Sequence, residues 1–422
     1  PTTTSSNFLL SSFFTMASFD KSNDDHDTPL CPPVPGSSKT GDFREHGYTI
    51  YHDILPPQSI ENIRSSLHSA LMALCGFDAG AELSTARCLS SLSSTGGAGA
   101  VLDVFFQAFQ FEVLQDERIF GSWMEVFDAS FNAPLEVGGD GVAVGDDADG
   151  GRSDGRGVFR QHPFLDELMA NRARGRPQGA FIYCDRVGYR LPDELSFLTT
   201  SDFDSKNKNL GKKKPKPIQR GLTPHLDCCP HKMFSHFESP SPSNPRKWRP
   251  IQGLLALTDT LFKNEGGFEC VPGFHNEFND WVSRRGAISS TGESTEAPCK
   301  GEYTPLRPGP LEESDKSNDA SVLRRVEHIP LRKGDLLFWD NRLPHANAFK
   351  NLKGTSREVI YVSFLPDVEV NRKFALEQLR RFALSERPSD MWVEGESRVV
   401  ENAMKVDDLN ELGRKLMFVD EW

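Results

Sequence analysis

Three residues with metal-binding side chains stand in two short stretches that lie far apart in the sequence. The first stretch is Thr223-Pro224-His225-Leu226-Asp227, and the second is Leu343-Pro344-His345. Side chains alternate faces along a strand, so His225 and Asp227 point to the same side of an extended segment. Two imidazoles and one carboxylate on one face of a metal leave its other positions open, which is the usual arrangement for non-haem Fe(II) in oxygenases. The pattern therefore predicts an iron site made of His225, Asp227 and His345.

Arg357 opens an apolar stretch downstream of His345. This stretch runs Arg357-Glu358-Val359-Ile360-Tyr361-Val362-Ser363-Phe364 and is rich in the β-branched and aromatic residues that favour strands. A buried guanidinium can bind a carboxylate through two parallel hydrogen bonds. We therefore predict that Arg357 binds one end of a dicarboxylate co-substrate.

These residues together resemble the signature of the phytanoyl-CoA dioxygenase-like family of Fe(II)- and 2-oxoglutarate-dependent oxygenases. The resemblance runs from about Phe43 to about Asp367, with insertions. The segments that carry it, in order, are Gly47-Tyr48-Thr49-Ile50, His225-x-Asp227, Asn264-Glu265-Gly266-Gly267, Pro272-Gly273-Phe274-His275, Gly334-Asp335, His345 and Arg357. HxD alone is a weak signal, but the whole set in this order is specific.

The resemblance implies the co-substrates and the reaction. It implies Fe(II) at the three predicted ligands, with 2-oxoglutarate and O2 as co-substrates and ascorbate as a candidate reductant. Arg357 would bind the far carboxylate of 2-oxoglutarate, and Ser363 or Thr258 would add a hydrogen bond. Halogenases similar to this family have a small residue in the place of Asp227, so the carboxylate favours hydroxylation of a small-molecule substrate with release of succinate and CO2. Desaturation and cyclisation of the substrate stay open as alternatives.

Candidate substrate contacts come from strands and turns near the predicted mouth of the site. They are Tyr183, Arg186, Trp339, Asn341 and Arg342. Trp339 has a strand context in which a tryptophan is more often part of the core. Asn341 and Arg342 directly precede the His345 turn, so they are the better candidates for a polar or anionic substrate.

The order of elements indicates the fold. Predicted strands between residues 179 and 365 follow one another through turns, without regularly placed helices, which is typical of an antiparallel double sheet. The fold of the family is a double-stranded β-helix, so the resemblance implies a mainly β, cupin-like jelly-roll core with N- and C-terminal helices. Before the core we predict a strand over residues 48–51, an amphipathic helix over 57–75 and a buried helix over 101–114. The core itself is predicted to begin with a strand over residues 179–189.

The first 41 residues are rich in Ser, Thr, Pro and Asp, and we expect them to be disordered. Met16-Ala17-Ser18 would make an ordinary start, so residues 1–15 are expected to lie outside the native protein. The segment lacks the positive region of a signal peptide, which favours a cytoplasmic protein. Organellar targeting stays open, because residues 1–15 could also be the end of a longer transit peptide.

Residues 42–422 are predicted to form one dioxygenase domain with insertions near 138–157, 200–217 and 286–320. The segment 286–320 lies between the two stretches of metal ligands and could form a lid over the site, since loops of this length are usually functional or disordered. The basic run Lys212-Lys213-Lys214-Pro215-Lys216 is interpreted as a solvated connection. A nuclear address or a contact to an anionic substrate is its alternative.

Composition limits the partners. Lys and Arg number 48 against 60 Asp and Glu, and the formal net charge of −12 argues against nucleic acid as a partner. No apolar run approaches the roughly 18 residues of a membrane-spanning helix. The eight cysteines lack the spacing of a disulfide framework and are interpreted as free thiols. The sequence gives no indication of the oligomeric state.

Two other functions are weighed against the dioxygenase. The first is a non-catalytic protein that binds 2-oxoglutarate or metal on the same fold, since fold does not determine function. The complete ligand set favours the enzyme, because a protein without catalysis would be expected to lose a ligand. The second is an oxygenase that acts on protein or nucleic-acid side groups, which the acidic balance and the lack of repeats oppose.

Overall fold

The computed structural model describes part of the chain, and the fold is given for that part: residues 39–131, 164–174, 178–196, 217–228, 247–284, 303–306, 318–388 and 400–422. The predicted insertion 138–157, the run Lys212–Lys216 and residues 1–38 lie outside it. The first helix begins at Lys39, so the end of the segment expected to be disordered belongs to a helix.

The described strands form two antiparallel sheets, and neither sheet closes on itself within the described residues. The large sheet has the order β1-β10-β6-β12-β4-β2, with β3 also paired to β12. The small sheet has the order β8-β5-β11-β7-β9. The strands are β1 Tyr48–Tyr51, β2 Val101–Leu102, β3 Ala180–Ile182, β4 Val187–Arg190, β5 His225–Leu226, β6 Ile251–Ala256, β7 Phe268–Cys270, β8 Thr304–Pro305, β9 Glu327–His328, β10 Leu336–Asp340, β11 His345–Asn347 and β12 Arg357–Pro366.

Helices flank the sheets on the N- and C-terminal sides of the chain, so the fold is a mixture of helices and antiparallel sheets. The helices are α1 Lys39–His46, α2 Pro57–Cys75, α3 Glu82–Thr85, α4 Ala108–Leu114, α5 Glu117–Phe131, α6 Leu165–Ala173, α7 Asp193–Ser196, α8 Phe278–Arg284, α9 Asn318–Leu323, α10 Glu369–Ala383 and α11 Glu411–Leu416. Within the described residues, no helix combines the length and the apolar character needed to span a bilayer.

Helix α2 shows how the sequence sets an element. Its buried apolar residues recur at helical spacing: Ile60, Ile63, Leu67 and Leu71. Pro57 occupies the first turn, where its fixed φ suits a helix start. Gly76 ends the helix in the left-handed conformation with φ of 78°, and its N–H bonds to the carbonyl of Met72. The predicted strand 48–51 and helix 57–75 are both confirmed.

The carboxylate of Glu358 joins α2 to the large sheet. Glu358 lies on β12 and is 1% exposed. It accepts hydrogen bonds from Arg64 Nε at 3.0 Å and Nη2 at 2.8 Å, and it lies 2.9 Å from His68 Nε2. A buried carboxylate needs such partners, because leaving it unpaired is costly. Successive residues of a strand face opposite sides, so Arg357 points away from α2 and toward the small sheet.

An apolar core lies between the two sheets. The large sheet contributes Leu254, Leu337 and Val359, and the small sheet contributes Leu226 and Cys270. A second core packs the other face of the large sheet against α2, α4, α5 and α10. The large sheet is therefore covered on both faces, which explains why most residues of its strands are buried.

Two predicted elements are wrong in detail. The apolar run 101–114 is a short strand, β2, followed by helix α4, and not one buried helix. Val101 pairs with Gly188 of β4, and Phe106 has a positive φ of 58° that interrupts the run. The predicted strand 179–189 is divided into β3 and β4, because β12 pairs with them at different places.

Candidate metal centre

His225 and His345 lie side by side on two adjacent strands of the small sheet. His225 begins β5 and His345 begins β11, and they are direct partners in the antiparallel register. Their ring centroids are 4.8 Å apart, and both residues are buried. Asp227 follows β5, and the ligand atoms of the three residues lie within 4.8 Å of one another. The predicted group of His225, Asp227 and His345 is thus assembled where one ion could contact all three.

The backbone fixes the orientation of both imidazoles. His225 Nδ1 lies 3.1 Å from the carbonyl of Thr223, and His345 Nδ1 lies 2.9 Å from that of Leu343. A carbonyl can only accept, so in each ring Nδ1 carries the proton and Nε2 keeps a free lone pair. His225 Nε2 lies 3.4 Å and His345 Nε2 3.7 Å from the Asp227 carboxylate. Such outer hydrogen bonds are the usual way in which proteins aim metal-binding imidazoles.

The charges at this group suit a cation. Burial raises the pKa of the Asp227 carboxyl, but its interactions with the imidazoles of His225 and His345 lower it more, so the pKa lies well below its usual range. Burial lowers the pKa of His345 below its ordinary value, although Asp227 opposes the effect. At neutral pH the carboxylate is therefore ionised and His345 is neutral, which are the forms that bind metals.

Aromatic rings line the histidines. Trp339 of the large sheet lies with its ring centroid 5.2 Å from that of His345, and Phe268 lies 4.7 Å from Trp339. Trp339 is 2% exposed and packs in the core between the sheets, although its Nε1 has no hydrogen-bond partner among the described residues. These rings keep one side of the metal group dry.

Tyr303 also contacts the metal group, and its ring centroid is 4.9 Å from that of His225. It belongs to the segment 286–320 that was predicted as a lid. Within the described residues of this segment, β8 pairs directly with β5, so this part extends the small sheet. A strand of two residues has no periodicity from which it could be predicted.

Arg357 lies at the start of β12 and is 2% exposed. Both Nη1 and Nη2 lack a hydrogen-bond partner among the described residues. A Cβ on Gly188 would lie only 3.2 Å from Arg357 Nη1 and 3.3 Å from the Tyr361 hydroxyl. The missing side chain of Gly188 therefore leaves room beside the guanidinium. A buried cation without a partner is costly, so Nη1 and Nη2 of Arg357 have the free donors that an anion would need.

Tyr361 of the large sheet contacts Asn347 of the small sheet. The Tyr361 hydroxyl accepts a hydrogen bond of 3.0 Å from Asn347 Nδ2. Asn347 lies two residues after His345 on β11, so both side chains point to the same face of the small sheet. The sequence reasoning missed Tyr361 and Asn347. Their positions, two and four residues from predicted site residues on strands, are the signal that could have found them.

The two other predicted co-substrate contacts lie on β12 or beside it, but only Thr258 is near Arg357, since Ser363 is six residues further along the strand, about 20 Å away. Ser363 is buried, and the alternation along β12 puts it on the same face as Arg357. The Thr258 hydroxyl accepts a hydrogen bond of 3.0 Å from the backbone N–H of Glu358. Thr258 therefore lies beside the beginning of β12, and its contact to a co-substrate stays a prediction.

The predicted substrate contacts already have protein partners. Arg186 Nε donates to Asp103 at 2.8 Å. The side chain of Asn341 accepts a hydrogen bond from Gln252. The guanidinium of Arg342, which is 2% exposed, binds both oxygens of Asp340 at 2.9 and 2.7 Å. The contacts of Asn341 and Arg342 hold the turn that leads into His345.

The ring of Tyr183 stacks against the guanidinium of Arg249, a residue that the sequence did not identify as part of the site. Arg249 Cζ lies 4.5 Å from the centroid of the Tyr183 ring. The same guanidinium reaches the Asp227 carboxylate, with Nη2 at 3.4 Å from Oδ2. The structure thus adds Arg249 to the residues around the metal group.

Comparisons with known proteins relate the chain to solved structures. No family model matches the chain, and no curated protein matches its sequence. A hypothetical protein, JW0805, from Escherichia coli is 14% identical with a TM-score of 0.56, over 90% of this chain and 80% of that chain. The GlcNAc-inducible protein GIG2 (DUF1479) from Candida albicans is 15% identical with a TM-score of 0.55, over 91% of this chain and 76% of that chain. These likenesses show that the chain shares its fold with both proteins.

Proposed function

We propose that this chain is an Fe(II)- and 2-oxoglutarate-dependent dioxygenase of the phytanoyl-CoA dioxygenase-like type. Its reaction is the hydroxylation of a small-molecule substrate, with release of succinate and CO2. The observation that carries the proposal is the buried guanidinium of Arg357, whose Nη1 and Nη2 have no hydrogen-bond partner among the described residues, on the sheet face that looks toward the His-Asp-His group. The two antiparallel sheets with a shared core agree with a double-stranded β-helix, which we propose as the fold type.

The residues present fit iron and 2-oxoglutarate. His225, Asp227 and His345 offer two nitrogens and one oxygen, the donor set that suits Fe(II) with open positions. Arg357 offers two N–H donors to the carboxylate at the far end of the co-substrate. When bound, the iron would supply the oxidation of a substrate C–H bond by O2, coupled to decarboxylation of 2-oxoglutarate.

The other residues bind, orient and exclude water. The backbone carbonyls of Thr223 and Leu343 hold the imidazoles in the tautomer that leaves Nε2 free. The ring of Trp339 shields His345 from solvent, while the Asp227 side chain is 31% exposed. The exposed side of Asp227 is therefore the side from which we expect the substrate to approach.

Succinate formation without any substrate tests the activity. With Fe(II), ascorbate, 2-oxoglutarate and O2, the wild-type protein should release succinate slowly, because such oxygenases turn over their co-substrate without coupling. His345→Ala should lower the rate of succinate formation to that of the reaction mixture with Fe(II) but no protein, since a metal ligand is lost.

His328→Gln is the matched control. His328 is a buried histidine on β9 of the same small sheet, and its Nε2 lies 3.1 Å from the carbonyl of Thr260, away from the ligand group. The control should keep the wild-type rate. A folded wild-type protein that forms no succinate above the iron blank contradicts the proposal and favours a non-catalytic binding protein.

A further inference from the structure

Arg249 touches one oxygen of the predicted metal-binding carboxylate. It lies just before β6, is 7% exposed, and its Nη2 is 3.4 Å from Asp227 Oδ2. The other oxygen, Oδ1, faces His225 Nε2 at 3.4 Å. The two oxygens of Asp227 therefore have different surroundings. Oδ2 faces the guanidinium of Arg249 in addition to His345 Nε2 at 3.7 Å, whereas Oδ1 faces His225 Nε2.

The guanidinium of Arg249 is itself held in place. Its Nη1 donates to Asp185 Oδ2 at 3.2 Å, and its plane lies over the Tyr183 ring with Cζ 4.5 Å from the centroid. A guanidinium binds a carboxylate and stacks on an aromatic face at the same time because it is flat. Asp185 and Tyr183 follow β3 directly, so the large sheet fixes the position of Arg249.

We propose that Arg249 is a positioning residue that restricts Asp227 to binding the metal through Oδ1. A carboxylate that binds through both oxygens would have to give up the charge-assisted bond between Oδ2 and Arg249. With Oδ2 held, Asp227 takes one metal position and three positions stay open for the co-substrates. This inference rests on the proposed function, since it needs the metal at His225, Asp227 and His345.

Tyr183 and Asp185 thereby have a role in holding Arg249. Tyr183, predicted as a substrate contact, stacks against its guanidinium, and Asp185 balances its charge. Outer residues that hold a metal ligand change metal affinity by 10- to 100-fold when removed. We expect an effect of this size from Arg249, although it does not touch the metal.

Arg387→Leu supplies a matched control. Arg387 is also 7% exposed, its Nη2 lies 3.1 Å from Asp103 Oδ1, and its Cζ lies 5.3 Å from the centroid of Phe105. The Arg387→Leu variant therefore loses the same kinds of contacts as Arg249→Leu, a buried ion pair and an aromatic stack. Arg387 makes neither of these contacts with a predicted metal ligand.

The test is an anaerobic titration of the full chain with Co(II), read from the visible absorption of the bound ion. Arg249→Leu should weaken Co(II) binding by about 10- to 100-fold. Its absorption at saturating Co(II) should differ from that of the wild type, because Asp227 then binds through both oxygens. Arg387→Leu should keep the Co(II) affinity of the wild type within about threefold and should keep its spectrum, because distant sites that share no partners act nearly independently.

Arg249→Lys and Asp185→Asn complete the test. Lysine keeps the charge with a simpler donor, so it should recover most of the Co(II) affinity and the wild-type spectrum. Asp185→Asn should give an intermediate affinity, and it serves if Arg249→Leu does not fold. Equal affinities and spectra for Arg249→Leu and Arg387→Leu would overturn the role of Arg249. A wild-type protein that binds no Co(II) would instead overturn the proposed metal site.

Discussion

Replacing Arg357 with methionine is expected to raise the 2-oxoglutarate concentration needed for half-saturation by roughly 30-fold to several thousand-fold. Truncating one partner of a buried, hydrogen-bonded charge pair costs about 2–5 kcal/mol, and each 1.4 kcal/mol is tenfold in affinity. Arg357 has the position for such a pair, because Nη1 and Nη2 are buried without partners among the described residues. The affinity is measured by titrating 2-oxoglutarate into the metal-loaded protein without oxygen.

The ligand-free Arg357→Met variant should be as stable as the ligand-free wild type, or more stable. Methionine is similar in length and carries no charge, so the variant no longer buries a cation without a carboxylate partner. Chemical denaturation measures the free energy of unfolding. A large loss of stability together with unchanged co-substrate affinity would show that Arg357 is bound within the protein. Arg357→Lys should lie between wild type and methionine in affinity, because lysine keeps the charge but not the two-pronged geometry.

Replacing Arg342 with methionine is expected to destabilise the protein, in contrast to Arg357→Met. The expected loss in the free energy of unfolding is about 3–5 kcal/mol. Asp340 is 1% exposed, and both of its oxygens are bound by Arg342. Burial raises the pKa of the Asp340 carboxyl, but Arg342 lowers it more, so the pKa lies below its ordinary value. The carboxylate is therefore charged at neutral pH and would be left without its cation.

The double variant Asp340→Leu/Arg342→Met is the control for this pair. Replacing a whole buried ion pair with apolar residues is often neutral or stabilising, so the double variant should recover most of the lost stability. Leu343 N–H bonds to the carbonyl of Asp340 in the turn that precedes His345. Arg342→Met should therefore also weaken metal binding. A stability loss below about 1 kcal/mol for Arg342→Met would contradict the importance of this pair.

The elements with strong local signals could be predicted from the sequence. Helix α2 has regular apolar spacing, Pro57 at its start and Gly76 after its end, and these features do not depend on distant residues. The metal group could be predicted because strand alternation places His225 and Asp227 on one side, and because His345 follows an apolar strand. The two histidines are direct partners between β5 and β11, which agrees with that expectation.

The remaining site residues depend on contacts between distant parts of the chain. Arg249 stands in a Pro-containing stretch before β6, and its partner Asp185 is 64 residues away, so nothing local marks it. Arg342 was predicted as a substrate contact because the sequence does not reveal that Asp340 turns back onto it. The run 101–114 was predicted as one helix because a short apolar run does not distinguish a buried strand from a buried helix.

The central claim is that His225, Asp227 and His345 hold Fe(II) to which 2-oxoglutarate binds. The most direct test adds Fe(II) and then 2-oxoglutarate to the protein without oxygen and records the visible absorption spectrum. We predict a charge-transfer band that depends on both additions in the wild type and is absent in His345→Ala. A folded wild-type protein without this band would contradict the claim.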